Sequence, residues 1–168
     1  MKKFLILGSN SFAGSSFINE LLDLEEEVIG ISRSKEKKNC ILAYSQNPLK
    51  NKLFNFFKLD LNKDFDEICT VIKKFRPKFI IDFAAQSMVG ESWEWPEHWF
   101  KTNIISKAKL HNFLKNQDFL EKYIRISTPE IYGNTNKIIK ENSVYDPSTP
   151  YAVSQTAIDM SLKTFFKN

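Results

Sequence analysis

The chain has 168 residues, 42% of them hydrophobic, with 15 phenylalanines, which is the composition of one globular domain with a real core and excludes a disordered chain. The net charge of +4 is interspersed, and the densest basic run, Lys35–Lys38, sits in a polar stretch that reads as solvated loop, so no nucleic-acid partner is expected. Cys40 and Cys69 form neither a disulfide framework nor a metal-ligand spacing, no apolar run is long enough to span a bilayer, and the N-terminus has no signal-peptide pattern, so a cytoplasmic protein without a metal site or membrane partner is expected.

The first element is the apolar run Phe4-Leu5-Ile6-Leu7, a strand. Gly8-Ser9-Asn10-Ser11-Phe12-Ala13-Gly14 follows and leads into a helix of roughly 13–24, with Phe17, Ile18, Leu21 and Leu22 on one face. Strand, glycine turn and helix set free backbone N–H groups and a positive dipole end where a phosphate can sit. Gly8 suits the tight turn, Ser11 stands where the backbone nears a pyrophosphate, and Gly14 lets the helix pack close to the strand. The middle position is usually glycine, so Ser11 weakens the match; an ordinary strand-to-helix turn is the alternative.

Glu27–Ser32 reads as the second strand. An Asp or Glu near such a strand end binds the adenosine ribose hydroxyls, whereas an Arg suits a 2′-phosphate. Here the end is Ser32-Arg33-Ser34, which favours NADP over NAD, with a solvated Arg33 as the alternative. Residues 34–52 read as a polar loop with room for a short helix, and Leu53–Leu59 as a third strand. Asp60, just past it, either contacts the adenine or caps a turn. Phe65, Ile68, Ile72 and Phe75 share one helical face, and Pro77 ends that helix. Phe79–Phe83 is a fourth, buried-type strand; the small Ala84 and Ala85 after it let either a cofactor or a helix approach.

Trp93, Trp95 and Trp99 surround Pro96, which suits the first turn of a helix running to about 116 with Phe100, Ile104, Ala108, Leu110 and Leu114 along it. Asn103 is a poor helix former inside this helix and is read as structural support; the tryptophans are read as core or a partner face, and His98 and His111 as surface or packing residues. Tyr123–Ser127 is the fifth strand, and the last helix starts near Tyr151 with Ile158, Leu162 and Phe165 on one face. The alternation predicts an α/β, Rossmann-type doubly wound parallel sheet in the order 3-2-1-4-5, with helices on both faces. Gly8–Gly14, Ser32-Arg33, Asp60, Ala84-Ala85 and Thr128–Glu130 all follow strand ends, where ligands bind in this fold.

The glycine turn, Asp60-Leu61, the run Asp82–Val89, Thr102-Asn103, Ser127–Gly133 and Pro147–Ser154 together resemble the extended short-chain dehydrogenases that act on nucleotide sugars, most closely the dTDP-glucose and GDP-mannose 4,6-dehydratases, over essentially the whole chain. The resemblance implies a nucleotide-sugar substrate and an NAD(P) cradle of Gly8, Ser11, Phe12, Ala13, Gly14, Ser32, Arg33, Asp60, Leu61, Ala84, Ala85, Gln86 and Asn103. It implies that the sugar is oxidised at C4, that water is lost across C5 and C6, and that the hydride returns to C6. Tyr151 is then the base at the C4 hydroxyl, Thr128 bonds the same oxygen, and Glu130 takes the C5 proton.

The pattern is broken twice. Dehydratases of the dTDP-glucose type carry an acidic Asp between the Thr and Glu positions, and this chain has Pro129 there; the GDP-mannose type also lacks that Asp. The family motif Tyr-x-x-x-Lys ends here at Gln155. That lysine binds the nicotinamide ribose and lowers the tyrosine's pKa; one unit is about 1.4 kcal/mol, so its loss implies orders of magnitude in rate. Lys163, two turns further on, is not placed to substitute by spacing. A nucleotide-sugar epimerase and a catalytically impaired NAD(P)-binding protein are the alternatives. The resemblance further implies a homodimer through helices near 97–116 and 151–166, and a longer family enzyme of which residues 1–168 are the cofactor-binding Rossmann domain, with an open edge at the fifth strand and no C-terminal substrate domain.

Overall fold

The structure, a computed structural model, describes residues 1–37, 41–136 and 138–167; Lys38 and Cys40 lie outside them. It contains two compact units, Met1–Ala84 with Gln117–Ile126, and Ala85–Asn116 with Ser127–Asn168.

The first unit holds the sheet. β1 (Lys3–Leu7), β2 (Glu27–Ser32), β3 (Phe54–Lys58), β4 (Phe79–Asp82) and β5 (Lys122–Arg125) pair in the order 3-2-1-4-5, all parallel. Leu7 lies level with Ile31 and with Asp82, so the ends of the central strands form one rim. The second predicted strand matches β2, and the third, fourth and fifth end a residue or two later than β3, β4 and β5 because the ladder continues: Leu59 N–H donates to the Ser32 carbonyl at 3.0 Å, Phe83 N–H to Leu7 at 2.9 Å and Ile126 N–H to Asp82 at 3.0 Å.

Alternate residues face opposite sides. Ile6, Val28, Phe54 and Ile81 pack with Ile18, Leu21 and Leu22 of α1 (Phe12–Asp23) in one buried cluster. Each such side chain removed from water contributes about 1.5–3 kcal/mol. On the other parity Leu5, Leu7, Ile29, Ile31 and Ile80 are equally buried. The Lys3 ammonium, on that parity, lies 5.1 Å from the ring centre of Phe75, the last residue of α3 (Phe65–Phe75), which assigns α3 to this face. α3 buries Ile68, Ile72 and Phe75, carries acidic residues in its first turn and lysines in its last, and stops at Arg76, left-handed with φ 53°, ahead of Pro77.

The segment 41–53 is more ordered than the polar composition around it predicts. It forms a 3-10 turn, Ala43–Gln46, and a single helical turn, α2 (Lys50–Leu53), and it delivers Leu42 and Tyr44 into the core. The Tyr44 ring packs tilted against Phe54, centroids 4.6 Å apart; burial and the neighbouring Glu36 carboxylate push its hydroxyl far above the usual tyrosine range.

The second unit is helical. α4 (Pro96–Trp99), a π-helical segment (Phe100–Ser106) and α5 (Lys107–Leu114) replace the single predicted helix, and α6 (Pro150–Lys167) packs against them. Pro96 takes the first helical position, as expected. Trp99 is a core residue, whereas Trp93 and Trp95 are exposed. His98 is exposed, and His111 is buried, edge-on to Phe165 at 6.0 Å. α6 starts where Thr149 Oγ1 accepts the Ala152 N–H at 3.0 Å, a hydroxyl cap just before a proline.

Candidate active site

In the first unit the glycine turn grows out of β1. Gly8 has φ 79°, and a Cβ there would stand 2.7 Å from the Ala84 nitrogen, so a side chain is excluded by both conformation and space. A Cβ on Gly14 would meet the Gly8 carbonyl oxygen at 2.5 Å; this glycine is the close helix–strand contact read from the sequence. Ser11 occupies the middle position as the N-cap of α1, with extended φ/ψ of −75° and 159°, and its Oγ accepts the Gly14 N–H at 3.0 Å. Phe12 and Ala13, both exposed, are the first two residues of α1, whose N–H groups have no partner within a helix. That turn, with its dipole end, is shaped to receive an anion.

Around the same rim, Ser32 is buried, with its Oγ 3.2 Å from Ser9 Oγ and 3.0 Å from the Asn10 N–H that donates to it. Arg33 is exposed beside it. Asp60 Oδ1 accepts the Asn62 N–H at 2.8 Å, so this carboxylate caps its own turn, with the buried Leu61 next to it. Ala84 is held by a residue to which the sequence reading gave no role: Asp82, 1% exposed, accepts the Ala84 N–H at 3.0 Å and the Tyr123 hydroxyl at 2.6 Å. A carboxylate closing an otherwise apolar strand was the available signal.

In the second unit Asn103 is the hub. Its Oδ1 accepts the Gln86 N–H at 2.9 Å, and its Nδ2 donates to the Gln86 carbonyl at 2.9 Å and to Ser154 Oγ at 3.0 Å. Ser154 Oγ donates on to the Tyr151 carbonyl at 2.6 Å. From the other side the Tyr151 N–H donates to Ser92 Oγ at 3.2 Å, and Ser92 Oγ donates to the Val89 carbonyl at 2.6 Å. The segment after Ala85 is thereby tied to the first turn of α6. The π-helical stretch that carries Asn103 widens the helix at this point, a feature that often marks functional sites. Ser92 and Ser154 were not singled out from the sequence; small polar residues in helical stretches gave no signal without their partners.

Tyr151 and Gln155 stand one turn apart on α6, both buried, with Gln155 only 1% exposed. Thr128 caps the 3-10 turn Pro129–Tyr132: its Oγ1 accepts the Glu130 N–H at 3.3 Å, which leaves its own O–H to donate elsewhere. Gly133 ends this turn with φ 66°, where a Cβ would stand 2.1 Å from the Asp146 carbonyl oxygen. Ser127 Oγ bonds the Asp159 carboxylate of α6. Lys163 is engaged with the Tyr145 hydroxyl, its ammonium 4.5 Å from that ring's centre, and this hydrogen bond raises its pKa. It stands about 18 Å along the helix axis from Tyr151. Burial, then the Asp66 carboxylate, pushes the Cys69 thiol up, away from nucleophilic character. Among the described residues no group of three or more His, Cys, Asp or Glu could hold a metal, and no helix is long and apolar enough to cross a membrane.

Asn103→Ala removes every partner this side chain gives to Gln86 and Ser154. We expect a loss of about 3 kcal/mol of stability, from buried polar groups left unpaired, read as a lower urea midpoint. Asn103→Asp keeps the acceptor for the Gln86 N–H and is expected to lose less.

The model of the GDP-mannose 4,6-dehydratase family matches residues 5–168. A probable dTDP-glucose 4,6-dehydratase of Sinorhizobium fredii is 27% identical over 167 residues, covering 94% of this chain and 47% of that protein. The UDP-glucose 4-epimerase of Thermus thermophilus, solved in complex with NAD, superposes with a TM-score of 0.83 at 25% identity over 98% of this chain and 51% of its own. A UDP-Glc/GlcNAc 4-epimerase of Campylobacter jejuni reaches a TM-score of 0.87 at 23% identity, over 99% and 50% of the two chains, a likeness of fold. The chain spans about half the length of the curated relatives it matches.

Proposed function

The chain belongs to the GDP-mannose 4,6-dehydratase family, among the extended short-chain nucleotide-sugar epimerases and dehydratases, and on that premise we propose that residues 1–168 form the NAD(P)-binding domain of a nucleotide-sugar 4,6-dehydratase of the cytoplasm, acting on dTDP-glucose or GDP-mannose. The observation that carries this reading is the pairing of chemistry in the second unit: Thr128 and Glu130 on one short turn, Tyr151 and Gln155 on one face of α6.

A nicotinamide held here would supply the chemistry of hydride transfer, from the sugar at C4 and back to C6. The residues do the rest. Phe12 and Ala13 N–H groups meet the pyrophosphate at the N-terminus of α1. Arg33, exposed at the end of β2, meets a 2′-phosphate and so favours NADP. Tyr151 takes the proton of the C4 hydroxyl while the Thr128 hydroxyl donates to the same oxygen; Glu130 takes the C5 proton; Gln155 hydrogen-bonds the nicotinamide ribose without supplying a charge. Pro129 donates no proton, so the C6 hydroxyl leaves with a proton from another source.

The exposed Ile105, Val153 and Met160 on the π-helical segment and α6 support a homodimer through those helices. One observation favours a second reading: with Pro129 where an acid would stand, a 4-epimerase needs no elimination and keeps Tyr151.

The test is turnover of GDP-mannose and dTDP-glucose with NADP or NAD, on protein made from the complete reading frame. A 4-keto-6-deoxy product is expected, and Tyr151→Phe is expected to lower its rate by about 10²–10⁴-fold. Cofactor binding with no turnover of any nucleotide sugar sinks the enzyme reading in favour of an impaired binding protein.

A further inference from the structure

Asn10 belongs to the glycine turn, yet its polar groups are directed to the exit of β2. Its N–H donates to Ser32 Oγ at 3.0 Å. Its Nδ2 donates to Ser34 Oγ at 3.0 Å, to the Ser34 carbonyl at 3.2 Å and to the Lys35 carbonyl at 2.9 Å. The residues on both sides of Arg33 are therefore bound to one side chain and its backbone. The two carbonyls fix the orientation of the amide, because a flipped amide would set its oxygen against theirs. Asn10 is 7% exposed, and its Oδ1 is buried with no hydrogen-bond partner. A buried amide oxygen without a donor is unfavourable, and the adenosine half of a dinucleotide brings hydroxyl and amino donors.

We infer that Asn10 is a positioning residue for cofactor choice: it clamps the Ser32–Lys35 segment and thereby holds Arg33 where a 2′-phosphate is bound. The inference rests on the NADP reading above and deepens it. Without the clamp, Arg33 must be ordered at the moment of binding, and the entropy of ordering is subtracted from the affinity for the phosphate. The affinity for NADH, which has no such phosphate, does not draw on Arg33.

The experiment is a double-mutant cycle on the whole chain, with dissociation constants for NADPH and NADH measured for the parent, Asn10→Ala, Arg33→Ala and the double variant. The parent is expected to bind NADPH more tightly. Asn10→Ala is expected to lower the NADPH-to-NADH preference about tenfold, and the double variant to match Arg33→Ala within about twofold, since Asn10 acts through Arg33. Hydrogen exchange of the 32–37 segment is expected to quicken in Asn10→Ala while β1 and α1 stay protected. Should that variant not fold, Asn10→Asp keeps the shape and removes the donor, with the same loss of preference expected. An equal weakening of both nucleotides, with the preference kept, overturns the inference and leaves the NADP reading standing. A parent that binds NADPH no better than NADH overturns both.

Discussion

Gln155→Lys is expected to raise the turnover of nucleotide sugar by about a hundredfold or more and, at the same time, to lower the Tm of the cofactor-free protein. Both effects come from one fact: position 155 is 1% exposed on the turn of α6 that follows Tyr151. A charge in so dry a place acts strongly on a neighbouring phenol, because little water screens it. The same dryness makes an uncompensated ammonium expensive, so the variant loses stability until a bound ribose and a phenolate give it partners. A neutral amide avoids that cost and gives up the charge. If the parent turns over as fast as the variant, a glutamine at this position suffices and the charge argument fails.

Glu130→Gln is the second large effect. In a dehydratase the carboxylate removes the C5 proton, and an amide cannot; formation of the 4-keto-6-deoxy sugar is expected to fall by about 10²–10⁴-fold. On the proposed reading oxidation at C4 belongs to Tyr151 and Thr128, so reduced nicotinamide is expected to form in the variant and persist. Glu130 is the second residue of a 3-10 turn capped by Thr128 and closed by Gly133, and its backbone N–H, not its side chain, makes the cap. The substitution therefore leaves the turn intact, and a loss of product reports on the carboxylate. Unchanged product formation would make Glu130 a loop carboxylate and favour the epimerase reading.

Much of the fold was legible because the central strands carry apolar runs and the turns are marked. Leu5-Ile6-Leu7 and Ile80-Ile81 are buried on both faces and read as parallel core strands. Gly8 and Gly14 were legible because a Cβ at either position has nowhere to go. Tyr44 was not, because no helical or strand period marks its segment and its burial depends on meeting Phe54 and Leu22 across the unit. The π-helical segment was invisible for a related reason: Phe100, Ile104 and Ala108 keep an ordinary helical spacing, and the bonds Asn103 makes from this segment to Gln86 and Ser154 span sequence separations of 17 and 51. Asn10 lies inside the most conspicuous motif of the chain and still showed nothing of its clamp on Ser32 and Ser34, since no spacing rule links a turn to the exit of the next strand.

The measurement that bears most directly on the central claim is the mass of the product formed from a nucleotide sugar in deuterated water. A 4,6-dehydratase removes the C5 proton, loses the C6 hydroxyl as water and takes a solvent hydron back at C5. The expected product is lighter than the substrate by one water and carries one solvent deuterium. A product of unchanged mass with no solvent deuterium would be an epimer, and would contradict the dehydratase assignment.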